Sequence, residues 1–147
     1  MQNSDPVFFY EHEFYVFSNF SSFKLLWKGR DWMTSEHAYH SEKFDSEEVK
    51  ELIFQTRSAH DAFTLAKEHR EQYRADWHDI KVSVMKEILR TKVDQHPYVL
   101  KKLLETGDRD IIEDSWRDDF WGWGPNKDGQ NQLGKLWMEL REEYRKH

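Results

Sequence analysis

A chain of 147 residues without cysteine is long enough to bury a real core as one domain, and it has no disulfide framework, thiolate nucleophile or Cys-based zinc site open to it. Its formal net charge of −6, with acidic and basic residues interspersed, argues against a broad nucleic-acid surface, because affinity for a phosphate backbone comes from clustered Lys and Arg. The N-terminal MQNSDPVFFYEHEF has no basic stretch leading into an apolar run, and no segment reaches the roughly 18 apolar residues of a membrane span, so a cytoplasmic protein without membrane contact is expected.

From Val7 to Phe17 the aromatic and β-branched residues predict strand, and KLLWKGRDW (24 to 32) reads as a hairpin turning at Lys28-Gly29; together these suggest a small sheet at the start. Thr34 is a fitting N-cap for a helix over 35 to 44, and Ser46 for another reaching about Gln55. A helix over about 58 to 68 follows. In DWHDIKVSVMKEILRTKV (76 to 93), Trp77, Ile80, Val84, Met85 and Ile88 recur at helical spacing. A shorter helix over 97 to 105 ends at Thr106-Gly107, and DIIED (110 to 114) resembles a short buried strand. A Gly-rich loop over 118 to 131 then leads into an amphipathic helix over 131 to 146. With no repeat or linker, this order predicts a single α+β domain over 1 to 147, mainly helical with a small β-sheet.

Three stretches carry candidate chemistry. On the helix from Thr34, the side chains of Glu36, Tyr39, His40 and Lys43 fall within about 100° of arc, and Glu36 and Lys43 lie nearly in line, about 10.5 Å apart along the axis. A solvated helix face would look the same. If the face is catalytic, Glu36 suits a base or cation stabiliser, since the first turn of a helix favours negative charge. His37, His40 and Glu36 do not form H-E-x-x-H, and no third ligand follows at a usual spacing, so no metal is expected.

On the helix from Asp76, Lys81 and Lys92 project within the apolar arc of Trp77, Val84, Met85 and Ile88. They either snorkel to water or, in the case of Lys81, hold an anionic ligand group against the Trp77 indole. The loop DDFWGWGPNKDGQNQLG combines Asp118 and Asp119 with aromatics, glycines and Asn131 at a helix start, where free N–H groups receive phosphate oxygens. It lacks both the P-loop and the G-x-G-x-x-G pattern, and an ordinary surface turn explains it about as well. Glu113, at the end of the short strand, is a further carboxylate that would reach the same cleft.

FSNF (17 to 20), TSEHAYHSEKF (34 to 44), Trp77 with Lys81 and Met85, IIE (111 to 113) and DDFWGWGPNKDGQNQLGKLWMELR (118 to 141) resemble, in the same order, the YbiA-like or NADAR family. The resemblance spans essentially the whole chain. It implies a YbiA-like fold and hydrolysis of N-glycosidic bonds to ribose, with no cofactor. The substrates it implies are a small ribosylated molecule, such as an early phosphoribosylamino-pyrimidine intermediate of riboflavin biosynthesis, or ADP-ribosylated guanine in DNA. Where the family usually has Gln this chain has His40, and Trp123 occupies a variable position.

By this resemblance the three stretches would line one cleft, with Glu36, Lys43, Asp118 and Glu113 as catalytic residues. Glu36 would stabilise the oxocarbenium, or Lys43 would instead attack the anomeric carbon to form an imine, and Asp118 or Glu113 would orient water or move protons. Trp77 and Trp121 would stack on the base, and Lys81, Ser18, Asn19 and Asn131 would hold phosphate or ribose. Phe20, His40, Gly122 and Gly124 complete the implied binding set. A non-catalytic ADP-ribose or nucleotide reader would use the same residues.

Overall fold

The computed structural model describes residues 5–9 and 12–146. In chain order its elements are strand β1 (Val7–Phe9), a 3-10 helix (His12–Phe17), strands β2 (Leu25–Trp27) and β3 (Arg30–Trp32), and helices α1 (Ser35–Ser41), α2 (Glu47–Gln55) and α3 (Ala59–Glu68). A short 3-10 turn (Arg70–Gln72) leads to α4 (Trp77–Gln95), α5 (Pro97–Glu105), strand β4 (Ile111–Glu113) and α6 (Gln132–Arg145). This is the expected helix-dominated α+β class. The chain divides into two compact units, residues 19–95 and residues 96–147 with the stretch up to Ser18.

In the unit of residues 19–95, β2 and β3 pair antiparallel with Leu25 opposite Trp32. Lys28 (φ 49) and Gly29 (φ 84) both have positive φ, as a two-residue type I′ turn requires, so the hairpin stands where Lys28-Gly29 placed it. Thr34, Ser46 and Ser58 each accept a backbone N–H from three residues on and start α1, α2 and α3. Helix α1 packs against α2, α3 and α4, while α4 also supports β2. Ile53, Ala62, Ala66, Met85, Ile88 and Leu89 supply the core among them.

In the other unit, β1 lies parallel to β4 with Val7 beside Ile111 and Phe9 beside Glu113. Helix α6 backs β4, and the Trp137 indole donates to the Phe17 carbonyl at 3.0 Å while its ring meets the Phe17 ring at 5.1 Å.

Two expectations need correction. Of the strand character predicted over 7 to 17, the described residues show strand at Val7–Phe9 and a 3-10 helix at His12–Phe17; Tyr10 and Glu11 lie outside the described residues. The single small sheet is two separate two-stranded ladders, because the partner of β1 comes from β4, far along the chain. A parallel pair needs a long crossover, which no local hydrophobic pattern reveals.

Candidate active site

Helix α1, about two turns long and mostly polar, has all seven of its residues buried. Glu36 is 8% exposed and His40 2%, so the solvated-face reading fails. Two devices fix its start. The Thr34 hydroxyl caps it by accepting the N–H of His37 at 3.2 Å. Asn19 fastens it from the side: its carbonyl accepts the N–H of Glu36 at 3.1 Å, and its side-chain oxygen accepts the Ser35 hydroxyl at 2.9 Å. The Asn19 amide nitrogen donates to Met85 Sδ at 3.4 Å, so this side chain positions α1 and is already committed.

The helix is shorter than 35 to 44. After Ser41 the N–H groups of Lys43 and Phe44 reach back only three residues, to His40 and Ser41, and Phe44 bridges to Tyr73. Lys43 therefore sits in the tightened turn beyond the helix, and the in-line spacing from Glu36 reckoned on an ideal helix does not describe it. Instead the backbone carbonyl of Lys43 accepts the N–H of Arg74 at 2.7 Å, and its Nζ lies 5.3 Å from the Tyr39 ring, 5.0 Å from Tyr73 and 5.9 Å from Trp77.

Three rings thus cage one half-buried amine. Burial disfavours the ammonium, Glu36 favours it and Lys81 repels it; burial prevails and brings the Lys43 pKa down to about 8. An ordinary lysine offers almost no free amine at neutral pH, whereas this one holds a usable fraction.

Around this cage, Trp77 is only 3% exposed and spends its faces on Tyr39, 5.2 Å away, and on Lys43, so it is a wall more than an open stacking surface. His40 Nε2 lies 2.6 Å from Glu36 Oε1. Burial pushes the His40 pKa below its ordinary 6.5, and Lys43 adds to that, although Glu36 opposes it. Lys81 is half-buried, and Phe20 is exposed. Lys92 is different: fully buried, it donates from Nζ to the Ser21 hydroxyl at 2.9 Å and lies 5.3 Å from the Phe23 ring, and burial alone brings its pKa down to about 7. It braces the loop that carries Asn19 and does not snorkel. Glu42, also buried, accepts the Trp27 indole N–H at 2.8 Å and an ion pair from Lys28 at 3.1 Å, which ties the hairpin to the turn beyond α1.

The other predicted residues form a second cluster, in the unit of residues 96–147. Asp118 Oδ1 accepts the N–H groups of Phe120 at 2.9 Å and Trp121 at 2.8 Å, while the Ser115 hydroxyl accepts that of Asp118 at 3.1 Å. A Cβ on Gly122 would stand 2.9 Å from the Glu113 carbonyl oxygen and 3.0 Å from that of Asp118, which explains a glycine there. Gly124 (φ 74) takes a left-handed turn.

Asn131 (φ 50) bridges β4 with its side chain, accepting the Glu113 N–H at 2.9 Å and donating to the Ile111 carbonyl at 2.9 Å. The N–H groups of Asn131, Gln132 and Leu133 are taken by the carbonyls of Gly122, Phe120 and Trp121. The expectation that these N–H groups at the start of α6 are free to receive phosphate is therefore overturned by the folded-back loop. Glu113 and Trp121 are half-buried. Ser18 is buried at the end of the Phe17 turn, its N–H donating to the Tyr15 carbonyl at 2.9 Å. Among the described residues no group of three His, Cys, Asp or Glu side chains is arranged to hold a metal ion.

Sequence reasoning missed Tyr73, which completes the cage from a stretch with no helical or strand period. It also missed the bracing role of Lys92, although its apolar neighbours were a signal. No helix among the described residues is long and apolar enough to cross a membrane.

A sequence profile described as the NADAR domain matches residues 8–145. The chain is 38% identical over 146 residues to a riboflavin biosynthesis protein of Vibrio vulnificus, covering 97% of this chain but only 39% of that longer protein. It is 35% identical over 127 residues to the N-glycosidase YbiA of Escherichia coli, covering 86% of this chain and 79% of YbiA. A similar N-glycosidase of Nostoc punctiforme is 35% identical over 144 residues, with 95% of this chain and 92% of that one covered. The NMR structure of E. coli YbiA superposes with a TM-score of 0.89 at 32% identity, over 98% of this chain and 87% of that chain.

Proposed function

From the premise that this chain belongs to the NADAR domain family, we propose that it is an N-glycosidase that cleaves the C–N bond between a ribose and a base or amino-pyrimidine. The observation that carries the reading is Lys43: a half-buried amine in a cage of three rings, brought to a pKa of about 8, with the buried carboxylate of Glu36 in electrostatic reach. Departure of the base builds positive charge at the anomeric carbon, and Glu36 offers it a negative partner. The free amine of Lys43 bonds to that carbon as the C–N bond to the base breaks, and the leaving nitrogen keeps the electron pair and takes up a proton. The attacking nitrogen sheds a proton, the ring C–O bond opens with its oxygen protonated, and a protonated imine results. Water adds to the imine carbon and releases the sugar aldehyde and the amine. The net consumption is one water per bond.

Lys81, half-buried and close enough to repel Lys43, is the cation we assign to the phosphate borne by a phosphoribosyl or ADP-ribosyl group. Two substrate classes fit this reading, an early phosphoribosylamino-pyrimidine of riboflavin biosynthesis and ADP-ribosylated guanine. The net charge of −6 is compatible with a DNA-linked substrate whose contact is limited to the modified nucleotide, and it implies weak affinity for unmodified DNA.

The test offers both substrates to the wild type and to a Glu36→Gln, Lys43→Ala double variant, with products read by mass. Release by the wild type alone supports the reading and tells which substrate is used. Borohydride added during turnover should leave a sugar-sized adduct on Lys43. Binding without any product would convert the protein to a nucleotide reader.

A further inference from the structure

His40 takes no part in the bond changes set out above, yet it makes a short buried side-chain contact within α1, Nε2 to Glu36 Oε1 at 2.6 Å. In the role given to Glu36 above, its carboxylate oxygen accepts this hydrogen bond, which places the proton on Nε2. Nδ1 is buried and has no hydrogen-bond partner among the described residues, so an imidazolium there would bury a second N–H with none of them to receive it. The ring is thereby held in one neutral tautomer, a fixed single donor.

Its plane is held as well. The Tyr39 ring stands 5.3 Å away at 65° on one contact and the Phe63 ring 5.7 Å away at 72° on another. Glu36 is fixed at its other end, its backbone N–H being held by the Asn19 carbonyl. A carboxylate on a side chain with three rotatable bonds is thus tied down at both its root and one oxygen.

We propose that His40 is a positioning residue for Glu36: its Nε2–H holds Oε1 in place and leaves Oε2 as the oxygen presented to the charge that develops on the sugar. The inference rests on the N-glycosidase reading and assigns within it the source of the pre-organisation that electrostatic stabilisation requires. The ring has two separable functions here, donor and packing. Gln keeps an N–H donor at similar reach and loses the ring, whereas Phe keeps the ring and loses the donor.

The experiment compares His40→Gln with His40→Phe in steady-state turnover, with thermal melts of both. Positioning predicts that the Gln variant keeps most of kcat. The Phe variant should lose about tenfold to a hundredfold in kcat with KM little changed, the loss expected for a charge-assisted hydrogen bond. Retention of kcat by the Phe variant overturns the proposal, as does an equal loss in both, which would make the ring a packing element only.

A second measurement does not depend on turnover. The ring nitrogens of the wild type, observed by nitrogen NMR at pH 7, should show the Nε2–H tautomer, with the Nε2 proton moving on Glu36→Gln. An Nδ1–H tautomer or a charged ring overturns the proposal. If the wild type hydrolyses no ribosyl substrate, it is the N-glycosidase reading that fails, and this spectrum still decides the pairing of His40 with Glu36.

Discussion

Lys43 gives the sharpest quantitative prediction. With a pKa near 8, roughly one-tenth of its amine is free at pH 7, against about one part in three thousand for an ordinary lysine at 10.5, a ratio of about 300. The assay is reductive methylation at limiting reagent over pH 6 to 11, with labelling at each lysine read by peptide mass and the exposed Lys135 as internal reference. The midpoint for Lys43 should fall near pH 8. Two variants fix the cause. Lys81→Met removes a repelling charge and should raise the midpoint, while Glu36→Gln removes an attracting one and should lower it further. A Lys43 midpoint coinciding with that of Lys135 would refute the reasoning, as would a shift in the same direction in both variants.

Lys92 is charged in the unfolded chain up to about pH 10.5 but sheds its proton in the folded state above about 7, so the folded protein gains stability as pH rises through that window. Over pH 7 to 8 the gain approaches about 1.4 kcal/mol per unit, and Lys92→Met should flatten it and raise stability below pH 7; urea unfolding at pH 6.5 and 8 measures both, and an unchanged slope refutes the burial argument. Asn131→Ala removes both side-chain hydrogen bonds to β4 and puts Ala at a positive φ, for a loss of about 2–4 kcal/mol, of which Asn131→Gly should recover only the conformational part. Gly122→Ala forces a Cβ against two backbone carbonyls and should cost about 1–3 kcal/mol in a thermal melt, while equal stability would mean the loop yields easily.

The elements that could be read directly are those whose hydrogen bonds and periods are local. Thr34 and Ser46 announce two helix starts because the cap acts three residues away, and Lys28-Gly29 announces the hairpin because the turn needs both residues at positive φ. The apolar period of α4 survives in the structure, with Trp77, Met85 and Ile88 buried along it. The grouping of Glu36, Tyr39 and His40 was visible for the same reason, since residues three and four apart share a helix side, while Lys43 lies in the turn beyond the helix.

What α1 does with that grouping was decided elsewhere in the chain. Its polar side chains are buried because α2, α3 and α4 enclose it, and a polar helix surface reads the same in sequence whether water or protein covers it. Tyr73 joins the cage through the bridge to Phe44, and the carbonyls of the folded-back loop take the N–H groups at the start of α6. Sequence by itself determined the local helices, the hairpin and the residues available for chemistry, because those rest on contacts a few residues long. Only the tertiary structure decided that Lys43 loses water, that Lys92 is enclosed and that β1 finds β4, because desolvation and long-range pairing depend on which distant segments arrive.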